Sequence, residues 1–115
     1  MDFNQLMEHR YSCRNYSDEP LSEAELKELI TAANGAPVGS ARYMDLHLKA
    51  TEMGLGSCFA WGVLESERMF PEYAHNELLD LPEDFEPLIG ILVGHPAEEG
   101  KVRSVPESRL SINFK

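Results

Sequence analysis

Pro87-Leu88-Ile89-Gly90-Ile91-Leu92-Val93 is a nearly unbroken apolar run in a chain that carries 20 acidic residues against 10 basic ones. A half-exposed strand alternates apolar and polar residues, whereas one covered on both faces need not. The run therefore predicts a covered sheet strand within Phe85 to Val93, closed by Gly94-His95-Pro96. At 115 residues the chain lies in the range of a single folded domain. Its core has limited depth, and a partner subunit would bury apolar surface that one chain cannot.

The helical signals are local. Asp2 can cap a short helix with Phe3, Leu6 and Met7 on one stripe, which needs tertiary support. Ser22-Glu23-Ala24-Glu25 is a capping box, followed by Leu26, Leu29, Ile30 and Ala33, and predicts a helix from about Ser22 to Ala33 ended by Asn34-Gly35. Ser40 can cap a further helix through Met53, apolar enough all round to be buried against more than one element, another subunit among them. Met44 and Met53 read as core filler within it. Gly54 is a natural helix end, and Gly56 and Ser57 allow backbone close to a ligand before the strand-like run Cys58 to Val63. Ser66 can cap a following segment, and Pro71 can begin a short helix ending near Leu79. At the end of the chain Leu110, Ile112 and Phe114 alternate with Ser111, Asn113 and Lys115, a terminal strand that needs an edge on this subunit or on a partner.

A net charge of -10 and a pI near 4.7 oppose nonspecific nucleic-acid binding. A cationic leader and an apolar stretch near 18 residues are both missing, so neither secretion nor membrane spanning is suggested and the cytoplasm is the default. Cys13 and Cys58 read as free thiols. His9, His47, His75 and His95 form no short ligand pattern, so no metal is expected. Against this acidity stands Arg10-Tyr11-Ser12-Cys13-Arg14, two guanidiniums beside a hydroxyl, the arrangement that matches phosphate or carboxylate oxygens. The plainer alternative pairs Arg10 with Glu8 or Asp18 and leaves Arg14 on the surface. Lys101 and Arg103 can complete the same pocket or form a solvated basic loop.

These pieces occur in one order: the Arg-x-Ser-x-Arg opening, Asp-Glu-Pro-Leu-Ser22, Thr-Ala-Ala33, Ala-Pro37, Lys-Ala-Thr-Glu-Met-Gly-Leu-Gly-Ser-Cys58, Leu-Pro82, Ile-Gly-Ile-Leu-Val-Gly-His-Pro96 and Lys101-Val-Arg103. Together they resemble the FMN-dependent nitroreductase family, as a shortened member lacking a central segment. After Ala36-Pro37 the chain passes through Val38-Gly39-Ser40 almost directly into the helix before Gly54, and the family's ribityl-contacting Asn and first central strand have no match. The resemblance implies a compact α+β fold, an antiparallel sheet flanked by helices, in an intertwined homodimer with two flavins at the interface. It implies that Arg10, Ser12 and Arg14 hold the phosphate and ribityl region of FMN, that Lys101 and Arg103 also approach the phosphate, and that Leu55, Gly56 and Ser57 lie beside the ring. The implied activity is NAD(P)H-dependent reduction of a small nitroaromatic, quinone or related acceptor. No residue is assigned as acid or base, because neither spacing nor the resemblance identifies one, and none is compulsory where a flavin carries the electron-transfer chemistry itself. Two alternatives stay open at this point: a noncatalytic flavin- or nucleotide-binding protein, and a dimeric structural protein with an eroded cofactor site.

Overall fold

A computed structural model of the chain describes residues 1–85, 87, 89–104 and 106–114, leaving aside the side chain of Ser40. Helix α1 spans Phe3–His9, and Asp2 and Gln5 close a reciprocal box before it, each side chain accepting the other's backbone N–H at 2.9 Å. Helix α2, Glu23–Asn34, starts the same way: Ser22 Oγ accepts from the Glu25 N–H and the Glu25 carboxylate accepts from the Ser22 N–H. A 3₁₀ turn at Gly39–Ala41 precedes helix α3, Arg42–Glu52, so regular helix begins two residues after Ser40.

The end of α3 sets the position of everything after it. The Leu55 N–H donates to the Ala50 carbonyl at 2.8 Å and the Gly54 N–H to the Thr51 carbonyl at 3.1 Å, with Gly54 at φ 75°. That left-handed turn is open to glycine without a Cβ penalty, and it folds Leu55 back onto the helix it leaves. Leu29, Ala50 and Leu55 then form the core, with Leu21, Leu46, Met53 and Val93 packed around it.

Strand β1, Gly56–Ala60, pairs antiparallel with β2, Gly90–Gly94, in the register Gly56 to Gly94 through Ala60 to Gly90. Between them run helix α4, Trp61–Met69, a turn of helix α5, Pro71–Tyr73, and a π-helical turn, Ala74–Leu78. Pro71 does open a short helix, but Ser66 is not a cap: it lies inside α4, its hydroxyl bonded back to the Gly62 carbonyl at 2.8 Å. The strand-like reading of Cys58 to Val63 holds only to Ala60, because Trp61 already begins α4. The later strand is shorter than its apolar run. Glu86 and Leu88 lie outside the described residues, Pro87 has no N–H to give a ladder, and β1 offers five residues, which are exhausted at Gly90.

Nor is β2 covered on both sides. Val93 reaches the core, while Leu92 on the opposite face is 54% exposed. The tail shows no strand among its described residues, and Leu110, Ile112 and Phe114 are 60%, 71% and 93% exposed; Lys115 lies outside the described residues. One edge of the sheet is already taken at β1, where Ser12 bridges Ser57 in parallel. Compactness also fails for the single chain. Its accessible surface of 8910 Å² exceeds the roughly 6,300 Å² typical of a folded 13.0 kDa monomer. Its radius of gyration of 16.6 Å exceeds the ~13 Å of a globular domain of this length. No helix among the described residues is long and apolar enough to cross a membrane.

Candidate functional site

The N-terminal arm after α1 lies along the outer edge of β1. The Cys13 N–H donates to the Ser57 carbonyl at 2.9 Å, and the Tyr16 hydroxyl donates to the Cys13 carbonyl at 2.8 Å. Cys13 is fully buried, and the approach is so close that a Cβ on Gly56 would stand 2.5 Å from its Sγ and 2.7 Å from its Cβ. Glycine at 56 is therefore a packing requirement of the arm. Both thiols, Cys13 and Cys58, are free and buried.

Arg10 leaves α1 half-buried and pairs with neither Glu8 nor Asp18. Its Nη1 donates to His47 Nε2 at 3.3 Å, and His47 Nδ1 bonds to Ser57 Oγ. A guanidinium has only hydrogens to give, so Nε2 presents its lone pair and the ring's one proton sits on Nδ1, donated to Ser57. This tautomer cannot take a proton from Ser57, so the serine–histidine contact is not an activated nucleophile. Burial, and after it the nearby Arg10 charge, holds the His47 pKa below the usual imidazole range and keeps the ring neutral. Phe59 meets the His47 ring edge-on at 5.0 Å and the Tyr43 ring at 5.5 Å.

Arg14 is exposed. Its Nη1 donates to the Ser12 carbonyl at 3.5 Å, and its backbone N–H donates to Glu98 Oε1 at 2.8 Å. That backbone bond is the main reason the Glu98 carboxyl stays below its ordinary range. Glu98 belongs to the loop after β2, which runs along the arm. The Ala97 N–H donates to the Asn15 carbonyl at 2.9 Å, the Tyr11 hydroxyl to the Glu98 carbonyl at 3.3 Å, and the Arg103 N–H to the Glu8 carbonyl at 2.9 Å. The backbone thus carries Lys101 and Arg103 to the end of α1, the same edge that holds Arg10 and Arg14.

The eight residues singled out in the sequence are only partly convergent. Ser12, Leu55, Gly56 and Ser57 are adjacent, and Arg10 reaches Ser57 through His47. The side chains of Lys101 and Arg103 are exposed, and neither makes a hydrogen bond or ion pair among the described residues. A cavity of about 210 Å³ opens between arm and loop, walled by Tyr11, Leu55, Pro96, Glu98, Gly100 and Val102, and none of the basic side chains lines it. Drug-sized ligands occupy about 300–1,000 Å³, so one chain offers an open ledge and not an enclosed cleft for a group as large as a flavin.

The charges on that ledge fit a phosphate better than the cavity fits a ring. Among the described residues Arg10, Arg14, Lys101 and Arg103 have no carboxylate within ion-pair distance, a state they share with Lys27, Arg42 and Arg109; Lys49 is paired with Glu28 and Glu52 and Arg68 with Glu65, so it is the clustering of the four on one edge that sets them apart. His47 is the residue that motif reading overlooks. The available signal was its place on α3: Tyr43, His47 and Ala50, at i, i+4 and i+7, share the stripe that faces β1. Among the described residues no three His, Cys, Asp or Glu side chains are placed to hold a metal.

Residues 7–44, from α1 to the start of α3, match the sequence model of the nitroreductase family. An FMN-dependent nitroreductase from Clostridium difficile superposes with a TM-score of 0.76 at 16% identity, over 98% of this chain and 100% of that one. This is a nitroreductase fold. A nitroreductase with bound FMN from Desulfitobacterium hafniense gives a TM-score of 0.73 at 12% identity, over 96% of this chain and 97% of that one. A nitroreductase from B. subtilis gives 0.74 at 17% identity, over 98% of this chain and 74% of that one. No protein of curated function matches. The likeness thus extends well beyond residues 7–44, and the α+β nitroreductase fold here places its arm, glycine turn and late loop on one side of a two-stranded antiparallel sheet.

Proposed function

We propose that this chain is an FMN-dependent oxidoreductase of the nitroreductase family, working as a homodimer that takes reducing equivalents from NAD(P)H and passes them to a small acceptor such as a nitroaromatic or a quinone. The observation that carries the reading is the clustering of four basic residues, none with a carboxylate in ion-pair distance among the described residues, on one edge of a chain with net charge -10. Guanidinium and ammonium groups gathered on one edge of an acidic chain repel one another, and a bound anion would offset that repulsion.

In this reading Arg10 and Arg14 bind the phosphate of FMN, the Ser12 hydroxyl donates to it, and Lys101 and Arg103 approach from the loop. The Leu55, Gly56 and Ser57 backbone borders the ring. When bound, FMN supplies hydride acceptance and electron transfer. The residues of the chain bind and orient it, and no side chain is needed as acid, base or nucleophile.

The homodimer is supported by surface accounting. The chain exposes about 2,600 Å² more than a folded monomer of its mass. Obligate dimers bury ~2,000–5,000 Å² in total, half of it on each chain, so a large interface with a second copy can absorb much of that excess. It would also roof the open ledge, which one subunit leaves too shallow for a flavin.

Turnover separates this reading from a noncatalytic flavin-binding protein. Protein loaded with FMN is mixed with NADH or NADPH and, in turn, a nitroaromatic and a quinone, and the nicotinamide absorbance is followed. The expected result is oxidation of the nicotinamide that requires both FMN and an acceptor. Bound FMN without oxidation by any pair would assign the chain to binding alone.

A further inference from the structure

We propose that His47 is a positioning residue for the anion site: its neutral ring holds Arg10 in readiness, and when a dianion draws the guanidinium away the ring takes up a proton in its place. The inference rests on the reading of Arg10 as an anion-binding group given above, and it deepens that reading by adding proton-linked regulation.

The geometry makes the two states exclusive. While Arg10 Nη1 donates to Nε2, that nitrogen cannot carry a proton, because two cations would then meet with no acceptor between them. The other nitrogen is committed to Ser57. His47 is completely buried, so once Arg10 swings toward an anion, Nε2 is left as a buried acceptor without a donor. Protonation by a proton from bulk water relieves this, and the imidazolium is compensated by the bound dianion. The proton returns to water when the anion leaves and Arg10 falls back. Of the charged and titratable groups on the elements around the ring, Arg10 at the end of α1, Cys13 in the arm, Tyr43 one turn earlier on α3 and Cys58 on β1, Arg10 alone is bonded to it and acts on its charge.

The sign follows. A ring kept neutral in the anion-free state and protonated in the bound state makes dianion affinity rise as pH falls, until the pH lies below the anion-free His47 pKa, which burial and Arg10 hold beneath the usual imidazole range. Inorganic sulfate is the suitable probe, because its charge is constant there, while a phosphate monoester itself titrates near pH 6. The His47 ring is followed by NMR across pH in the full chain, with and without sulfate, in the wild type, in Arg10→Met and in Arg10→Lys. We expect the His47 titration midpoint to move up on adding sulfate to the wild type, to move up in Arg10→Met without any ligand, and in Arg10→Met to stop responding to sulfate. Arg10→Lys, which keeps the charge, should retain the response to sulfate in weakened form and serves if Arg10→Met does not fold. A parallel pair distinguishes positioning from packing: His47→Gln keeps an acceptor for Arg10 and should retain sulfate affinity at pH 8, His47→Leu should lose it, and both should lose the rise at low pH. A His47 midpoint indifferent to sulfate and to Arg10→Met overturns the proposal. If those shifts occur but FMN does not bind, the coupling stands and only the flavin reading fails.

Discussion

Gly56→Ala detaches the N-terminal arm from the sheet and lowers stability by about 1–3 kcal/mol. The added Cβ would lie 2.7 Å from the Cβ of Cys13 as well as 2.5 Å from its Sγ. A rotamer change can move the sulfur, but a Cβ moves only with its backbone. The arm must therefore shift, and the bond from the Cys13 N–H to the Ser57 carbonyl weakens or breaks. Cys13 is fully buried, so no solvent lies behind it to receive the displaced side chain. Urea denaturation of Gly56→Ala should show a lower midpoint, and Cys13→Gly, which removes both clashing atoms, should recover part of the difference in the double variant. A wild-type midpoint for Gly56→Ala would mean that the arm does not lie against β1 as described. Because Arg10, Ser12 and Arg14 ride on that arm, the same substitution should weaken anion binding without touching a binding side chain.

The second large effect concerns assembly. Sedimentation or light scattering should return twice the 13.0 kDa chain mass, and removing residues 110–115 should weaken the assembly sharply. Leu110, Ile112 and Phe114 are 60%, 71% and 93% exposed in one chain, with the alternation of a strand and no partner strand among the described residues. Burying one large apolar side chain contributes about 1.5–3 kcal/mol, so even partial loss of the three should exceed about 3 kcal/mol, roughly a hundredfold or more in dissociation constant. A dimer of unchanged affinity after the deletion would exclude the tail from the interface. A monomer at micromolar concentration would remove the second copy altogether, and with it the roof over the ledge.

The parts of this fold that could be read in the sequence are those decided within a few residues. Asp2 with Gln5 and Ser22 with Glu25 announce two helix starts, and Gly54 announces the turn that ends α3. Strand limits are set by a partner distant in sequence, which is why the apolar run at 87–93 overstates β2 and why Trp61-Gly62-Val63 looks like strand yet is helix. A short apolar run carries no period that separates the two. The tail is the extreme case: its pattern is that of a strand, but among the described residues it pairs with no strand of this chain. The site divides along the same line. Arg10-x-Ser12-x-Arg14 is a local motif and was legible, whereas the partner of Arg10 is His47, 37 residues on, and the carboxylate on the Arg14 N–H is Glu98, 84 residues on. Those contacts exist only once α3 and the late loop are packed against the arm.

A flavin titration of the wild type and Arg14→Ala, read by quenching of FMN fluorescence, tests the central claim most directly. The account predicts saturation at one FMN per chain, competition by inorganic phosphate, and affinity lower by about 1.5–3 kcal/mol in Arg14→Ala, where a charge-assisted bond is lost. Wild-type protein that leaves the fluorescence of FMN unchanged, or an Arg14→Ala variant that binds as tightly as the wild type, would contradict it.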